Sequence, residues 1–425
     1  MFIRLSIITL LGALFVWKVL PSLLPHHEKS VTLIQEPPLD VSYEQSMARS
    51  YLNEIREAMG MNALLKNKSL STAAQAHADY LIANDEESHD EISGHTGFTG
   101  TRPMDRALSA NYLSRAVSEN LSTGNKDAEH AVNSLFSAIY HRFSFLSPDI
   151  DELGVGVAEK RSQGKPNAFV FLMGNRQREK LCHKPSYSGY GKYVYKVCKD
   201  EEHHIDAQAF DKVNDWISSS NPKRIVYPYD GQKEVSPVFY AEVPDPLPNY
   251  EVSGFPISIA FNPYFAKETI RLDSFRLFDA QGNEVTEVKL MDKNSDPHGH
   301  FSEYEYALFP LKRLDFNTQY RVEVSYHIGE KEEQMSWSFA TKKFDIPLHR
   351  IEGTQEEILL DRKQAQHVLY FEPVDGHDML KDIEFPEDIR IEIIDNNTLK
   401  VVFSSTESDN FEIRSGTRSL HVRVE

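Results

Sequence analysis

Two kinds of periodicity divide this chain, and that division constrains its fold more than any other feature. From Tyr43 to Met59, apolar residues recur at helix spacing, with Met47, Tyr51, Leu52, Ile55 and Met59 on one stripe and Gly60 as the stop signal. An alanine-rich second helix is predicted over Ser69–Asn84, opened by Ser69 or Ser71 as its cap. A short third helix is predicted over Pro103–Asn111. A fourth, over Glu129–Phe145, presents Val132, Leu135, Phe136, Ile139 and Phe143 as its apolar face. Two apolar runs, Leu153–Ala158 and Phe169–Met173, are short and bounded by turn residues, so they read as strands. Helices followed by strands predict an α+β layered domain over residues 41–180.

From Val235 the pattern becomes β. Ile257–Phe261, Ile270–Phe278, Tyr320–Ile328 and Gln334–Thr341 read as strands, the last two joined across Gly329-Glu330. Many short strands separated by turns predict a sandwich over residues 235–342. The tail, residues 343–425, continues as a C-terminal β domain through Val368–Phe371, Ile389–Ile394, Leu399–Phe403 and Leu420–Val424. Residues 181–234 read as a connector with one helix, Asp206–Ser218.

The N-terminus carries an apolar run, Leu5–Trp17, interrupted by Lys18 and resumed by Val19–Leu24. A helix crossing a bilayer needs about 20 apolar residues, and Arg4 supplies the positive start of an export signal. No small-x-small cleavage site follows. Residues 1–30 are therefore expected to be an uncleaved signal anchor, with a cleaved signal peptide as the runner-up, and residues 31–40 a linker. Both readings place the body outside the cytoplasm, secreted or attached to the membrane. The only two cysteines, Cys182 and Cys198, then suggest a disulfide, contributing about 3 kcal/mol through loop entropy. The formal net charge of -18 argues against a nucleic-acid partner, which needs clustered Lys and Arg.

The first domain resembles the CAP superfamily of cysteine-rich secretory proteins, antigen 5 and pathogenesis-related proteins. Leu52, Asn53, Arg56, Gly60 and Leu64 are similar to its opening helix, and Ala74 and His77 to its second. Ser88-His89, Phe98-Thr99-Gly100, Asp105-Arg106-Ala107, Ser118-Glu119-Asn120, His141-Arg142 and Gly154-Val155-Gly156-Val157 follow in the expected order. The resemblance implies an α-β-α sandwich with a cleft often lined by two His and two Glu. His89, Glu119 and His141 match three of these. Ser118 stands where the family has Gly, and Leu135 where it has Trp. The second Glu, expected in or near the last helix, has no match at Ser137, Ala138 or Ile139; Glu91 is a substitute. The ligand cleft expected from the resemblance is thus His89, Glu91, Glu119, Asn120 and His141.

Two imidazoles and a carboxylate suit a divalent cation, zinc or magnesium, held by His89, Glu119 and His141, although no cofactor is required. The same groups suit acid–base work without metal, or a structural role in which Glu119 ties a loop. His77, on the alanine-rich helix, reads as structural. Asp296-Pro297-His298-Gly299-His300 reads as a loop between strands. Pro310-Leu311, Leu314, Thr318, Tyr320 and Trp337-Ser338-Phe339-Ala340-Thr341 look like the closing half of bacterial immunoglobulin-like envelope domains, with Trp337 in the core. The fold expectation is a CAP-type domain followed by one or two immunoglobulin-like β domains. The functional expectation is non-enzymatic binding of a lipid, sterol-like or cell-wall ligand at the cell envelope. A metal-dependent hydrolase using His89, Glu119 and His141 is one alternative, and a structural or adhesion protein acting through its β domains is another.

Overall fold

The computed structural model describes residues 38–159, 167–403 and 409–425. The apolar N-terminal run lies outside them. Among the described residues, no helix is long and apolar enough to cross a membrane.

Helix α1, Val41–Ala58, starts where the Asp40 side chain accepts a hydrogen bond from Tyr43 N. Its buried stripe is Glu44, Ala48, Leu52, Ile55 and Arg56. The stripe is rotated relative to the sequence expectation, and Met47 is exposed. Gly60 has φ +76°, a left-handed conformation that glycine adopts without steric cost, so the helix stops there as expected. Helix α2, Lys68–Asn84, is capped by Asn67, which accepts from Leu70 N, rather than by Ser69 or Ser71. A two-residue strand β1, Leu65–Lys66, joins them, and α3, Pro103–Ser109, follows.

Strands β2 (Ser118–Thr123), β3 (Glu152–Ala158) and β4 (Ala168–Gly174) complete a sheet of order β1-β3-β4-β2, parallel only between β1 and β3. Strands β3 and β4 are buried along their whole length because helices cover both faces. Leu70, Ala74, Ala78 and Leu81 of α2 pack with Val170 and Leu172 on one side. On the other, Leu52 and Ile55 pack with Val132, Phe136, Val155, Val157 and Phe171. The α-β-α sandwich expected for the first domain is therefore present.

The predicted fourth helix is two helices, α4 (Ala128–Ser137) and α5 (Ile139–Phe145), broken at Ala138, whose φ of -76° and ψ of 115° are extended. The apolar face is continuous in sequence, so periodicity does not register the break. Helix α6, Arg176–Cys182, leads into the Cys182–Cys198 disulfide. A small hairpin, β5 (Tyr193–Val194) with β6 (Ile205–Asp206), and helix α7 (Ala207–Ser219) complete this connecting segment.

The following β sandwich begins at β7 (Arg224–Tyr227), earlier than Val235. One sheet has the order β13-β14-β11-β7, where β11 is Ile257–Phe261, β13 Val288–Met291 and β14 Glu305–Pro310. The other is β12-β15-β16-β8, where β8 is Gln232–Val235, β12 Ile270–Phe278, β15 Gln319–Ile328 and β16 Lys331–Thr341. Strands β9 (Val238–Tyr240) and β10 (Val252–Gly254) form a ribbon beside them. Trp337 is buried and donates to Pro228 O at 2.9 Å, a core role as expected. The tail forms two more sheets around Leu360, Leu369, Leu399, Val401, Leu420 and Val422. One hydrophobic core runs without interruption from the first domain, through Phe136 and Phe145, into Tyr227, Phe255, Phe301 and Trp337 of the sandwich.

Candidate functional site

Strand β2 is an edge strand of the first sheet, and its successive side chains face opposite ways. Glu119 turns toward α3 and Asn120 toward α5. Arg106, fully buried on α3, brings Nη2 to 2.8 and 2.7 Å from the two oxygens of Glu119, and its Nη1 donates to His89 O at 2.9 Å and Thr101 O at 3.0 Å. His89 Nδ1 lies 3.0 Å from Glu119 Oε1. Burial raises the Glu119 carboxyl, but the hydrogen bond from His89 and the charge of Arg106 outweigh it, so Glu119 is held below its ordinary value.

Asn120 is buried and donates to His141 O at 2.8 Å, fixing the backbone that carries the second imidazole. The His89 and His141 rings stack with centroids 6.2 Å apart. His141 Nδ1 is 3.1 Å from Glu242 Oε2. Glu242 lies between β9 and β10, and its other oxygen accepts from Ile139 N at 2.6 Å. The helix break at Ala138 frees that N–H from any intrahelical partner, and the carboxylate satisfies it. Burial raises the Glu242 carboxyl, opposed by its hydrogen bond to His141.

A cleft of about 890 Å³ opens over these groups, with His89, Glu119, Asn120 and His141 in its wall. Apolar surface comes from Val117, Phe143, Leu146, Ile150 and Met173. The structure thus gathers four of the five expected cleft residues. Glu91 is not among them. It is buried under the preceding loop, where it contacts His77 Nδ1 at 3.0 Å and accepts from Thr99 N and Gly100 N. A glutamate that satisfies buried amides has no freedom to face a ligand. His77 has the structural role expected, its other nitrogen 3.1 Å from Ser88 O. The loop containing Asp296 lies between β13 and β14; Asp296 accepts from His298 N, His300 N and Phe301 N and from the Tyr140 hydroxyl.

Two site residues escaped the sequence reading. Arg106 was visible only as part of a helix motif, with nothing to show that its side chain meets Glu119. Glu242 is 101 residues from His141 and in another domain, so no local signal marks it.

Among the described residues, no group of three or more His, Cys, Asp or Glu side chains is arranged to hold a metal ion. Both Glu119 oxygens are engaged by Arg106, which leaves two imidazoles as cation donors. That set falls short of the three protein ligands of an open zinc site. The arrangement offers instead two oriented histidines. With Nδ1 donating to a carboxylate, each ring presents Nε2 as an acceptor.

Residues 49–174 match the family model described as CAP, cysteine-rich secretory protein family. None of the curated proteins matches the chain. Among solved structures, an extracellular protein containing an SCP domain from Bacillus anthracis aligns at 20% identity, over 33% of this chain and 45% of its own, with a TM-score of 0.29. The match therefore spans less than half of that protein. An outer surface protein of Borrelia burgdorferi aligns at 22% identity over 32% of this chain and 96% of its own, TM-score 0.28. A cysteine-rich secretory protein from Staphylococcus aureus aligns at 19% identity over 32% and 40%, TM-score 0.24.

Proposed function

We propose that this protein, whose residues 49–174 form a CAP domain of bacterial type, binds an amphipathic ligand of the cell envelope in the His89/His141 cleft and does so without turnover. The observation that carries this reading is the pairing of two stacked imidazoles, each turned by a carboxylate, with an apolar wall beside them. Two Nε2 acceptors suit hydroxyl donors of a sterol, a lipid headgroup or a cell-wall sugar. The apolar wall suits an acyl chain, sterol ring or other hydrophobic part. Glu119 is a poor general base because Arg106 holds it as an ion pair and lowers its proton affinity. The Cys182–Cys198 disulfide fits an oxidising compartment outside the cytoplasm.

The test is titration of the protein with a fluorescent long-chain fatty acid, a fluorescent cholesterol analogue and soluble peptidoglycan fragments. The His89→Ala and His141→Ala variants run in parallel. One class should bind saturably, and each variant should weaken it about tenfold, the worth of a lost hydrogen bond at a desolvated site. Absence of binding to all three classes, or an affinity equal to the parent's in both variants, would overturn the reading.

A further inference from the structure

We infer that the β sandwich forms part of the wall of this cleft, and that Glu242 is the positioning residue through which the sandwich sets His141. The part concerning specificity rests on the ligand reading above; the part concerning Glu242 does not.

Three observations converge. Glu242 is a sandwich-side residue with its side chain 6% exposed, and it holds both the first N–H of α5 and the imidazole two residues further on. Its carboxylate therefore fixes the helix start and the ring orientation together. The same short helix is fastened to the sandwich at the two residues that flank His141. Tyr140 donates to Asp296 at 2.5 Å, and Arg142 Nη1 donates to Pro256 O at 2.7 Å. Finally, the sandwich contributes to the lining of the same cleft through Phe261, Tyr264, Lys267, His300 and Tyr304.

The consequence is physical. The first domain alone would carry His141 on a helix whose leading N–H is unsatisfied and whose imidazole is free to take either tautomer. Docked, it has one acceptor for each. A ligand that fills the cleft meets aromatic groups of the second domain as well as His141, so part of its shape selectivity resides there. Binding also stabilises the docked arrangement by mass action.

Ring nitrogen NMR on the full protein tests the positioning role without any ligand. In the parent, neutral His141 should carry its proton on Nδ1. Glu242→Gln keeps an acceptor for Ile139 N but offers His141 either an amide oxygen or an NH2, so the His141 signals should shift toward a mixture of tautomers, with those of His89 unmoved. A Glu242→Gln spectrum identical to the parent at His141 would overturn the assignment. Glu242→Asp, which retains the charge on a shorter stem, should restore part of the Nδ1-protonated form; no difference between Asp and Gln would also count against it.

Two members of whichever probe class the parent binds, differing in size, then test specificity with Tyr264→Ala and Tyr304→Ala. The ratio of their affinities should change by about tenfold. An unchanged ratio in both variants would overturn the specificity part. A shifted His141 tautomer with no probe bound by the parent would retain Glu242 as a positioning residue and remove the ligand reading instead.

Discussion

Replacing Arg142 by alanine asks whether the first domain and the β sandwich unfold as one unit. The guanidinium is fully buried and lies between the rings of Tyr227 and Phe255, at 5.0 and 4.9 Å from their centroids. Its Nε donates to Phe136 O at 2.6 Å, and its Nη1 donates to Pro256 O at 2.7 Å and to Ser258 Oγ at 3.1 Å. One side chain thus joins the end of α4 to a sandwich segment more than a hundred positions away, which the 114-residue separation from Pro256 records. Alanine would strand two buried carbonyls, each costing about 1–3 kcal/mol, and would leave a void among aromatic rings. Burial also pushes Arg142 down to about 9, a sign that its charge is held at a desolvation cost that alanine removes. The net loss should be about 3–4 kcal/mol. Urea unfolding followed by Trp337 fluorescence would report the sandwich, and amide hydrogen exchange at α4 and β3 would report the first domain. Arg142→Met, which fills volume without donating, should lose about 2 kcal/mol. In the parent, both probes should share one transition, and in Arg142→Ala the transitions should separate. A loss under about 1 kcal/mol, with the transitions still coincident, would refute the claim that this residue couples the domains.

Three further outcomes are expected. Glu119→Gln breaks the buried pair with Arg106 and should cost about 3 kcal/mol at neutral pH; because the folded carboxyl lies below its ordinary 4.5, that difference is fully present above this value and should vanish as acid titrates the folded group below it, a convergence measurable by urea unfolding across pH. Gly156→Ala would place a Cβ 2.1 Å from Ala74 O and 2.2 Å from Ala74 C, forcing α2 off the sheet, so calorimetry should show a loss of about 3 kcal/mol or more. Cys182→Ser with Cys198→Ser should cost up to about 3 kcal/mol and speed proteolysis around the exposed Tyr190, while the His89 and His141 ring signals stay in place.

Much of the first domain was legible because its signals are local. The helix stripe around Leu52 and Ile55, the left-handed Gly60 and the apolar runs that became β3 and β4 each depend on residues within a few positions of one another. Gly154 and Gly156 stood out as a motif, and the structure supplies the reason: a helix backbone lies where their side chains would be. The break at Ala138 was not legible, because the apolar face continues across it and the acceptor that makes it affordable to the backbone comes from Glu242. The rotation of the buried stripe of α1 that exposes Met47 depends on which neighbours arrive to cover Ala48, equally beyond a periodicity argument.

The site divides along the same line. His89, Glu119, Asn120 and His141 could be named from sequence because a motif order places them. Which carboxylate meets a cleft imidazole could not, since Glu91 and Glu242 differ only in what surrounds them after folding. Glu91 is claimed by His77 and two loop amides, whereas Glu242 arrives from a separate domain to meet His141. Local sequence determined the elements and the residue types offered to the cleft, because hydrogen bonding and apolar spacing within a segment act over a few residues. Tertiary structure decided which groups pair, because pairing in a buried site depends on the Coulomb and desolvation terms of whatever lies within a few ångströms, and chain distance carries no information about that.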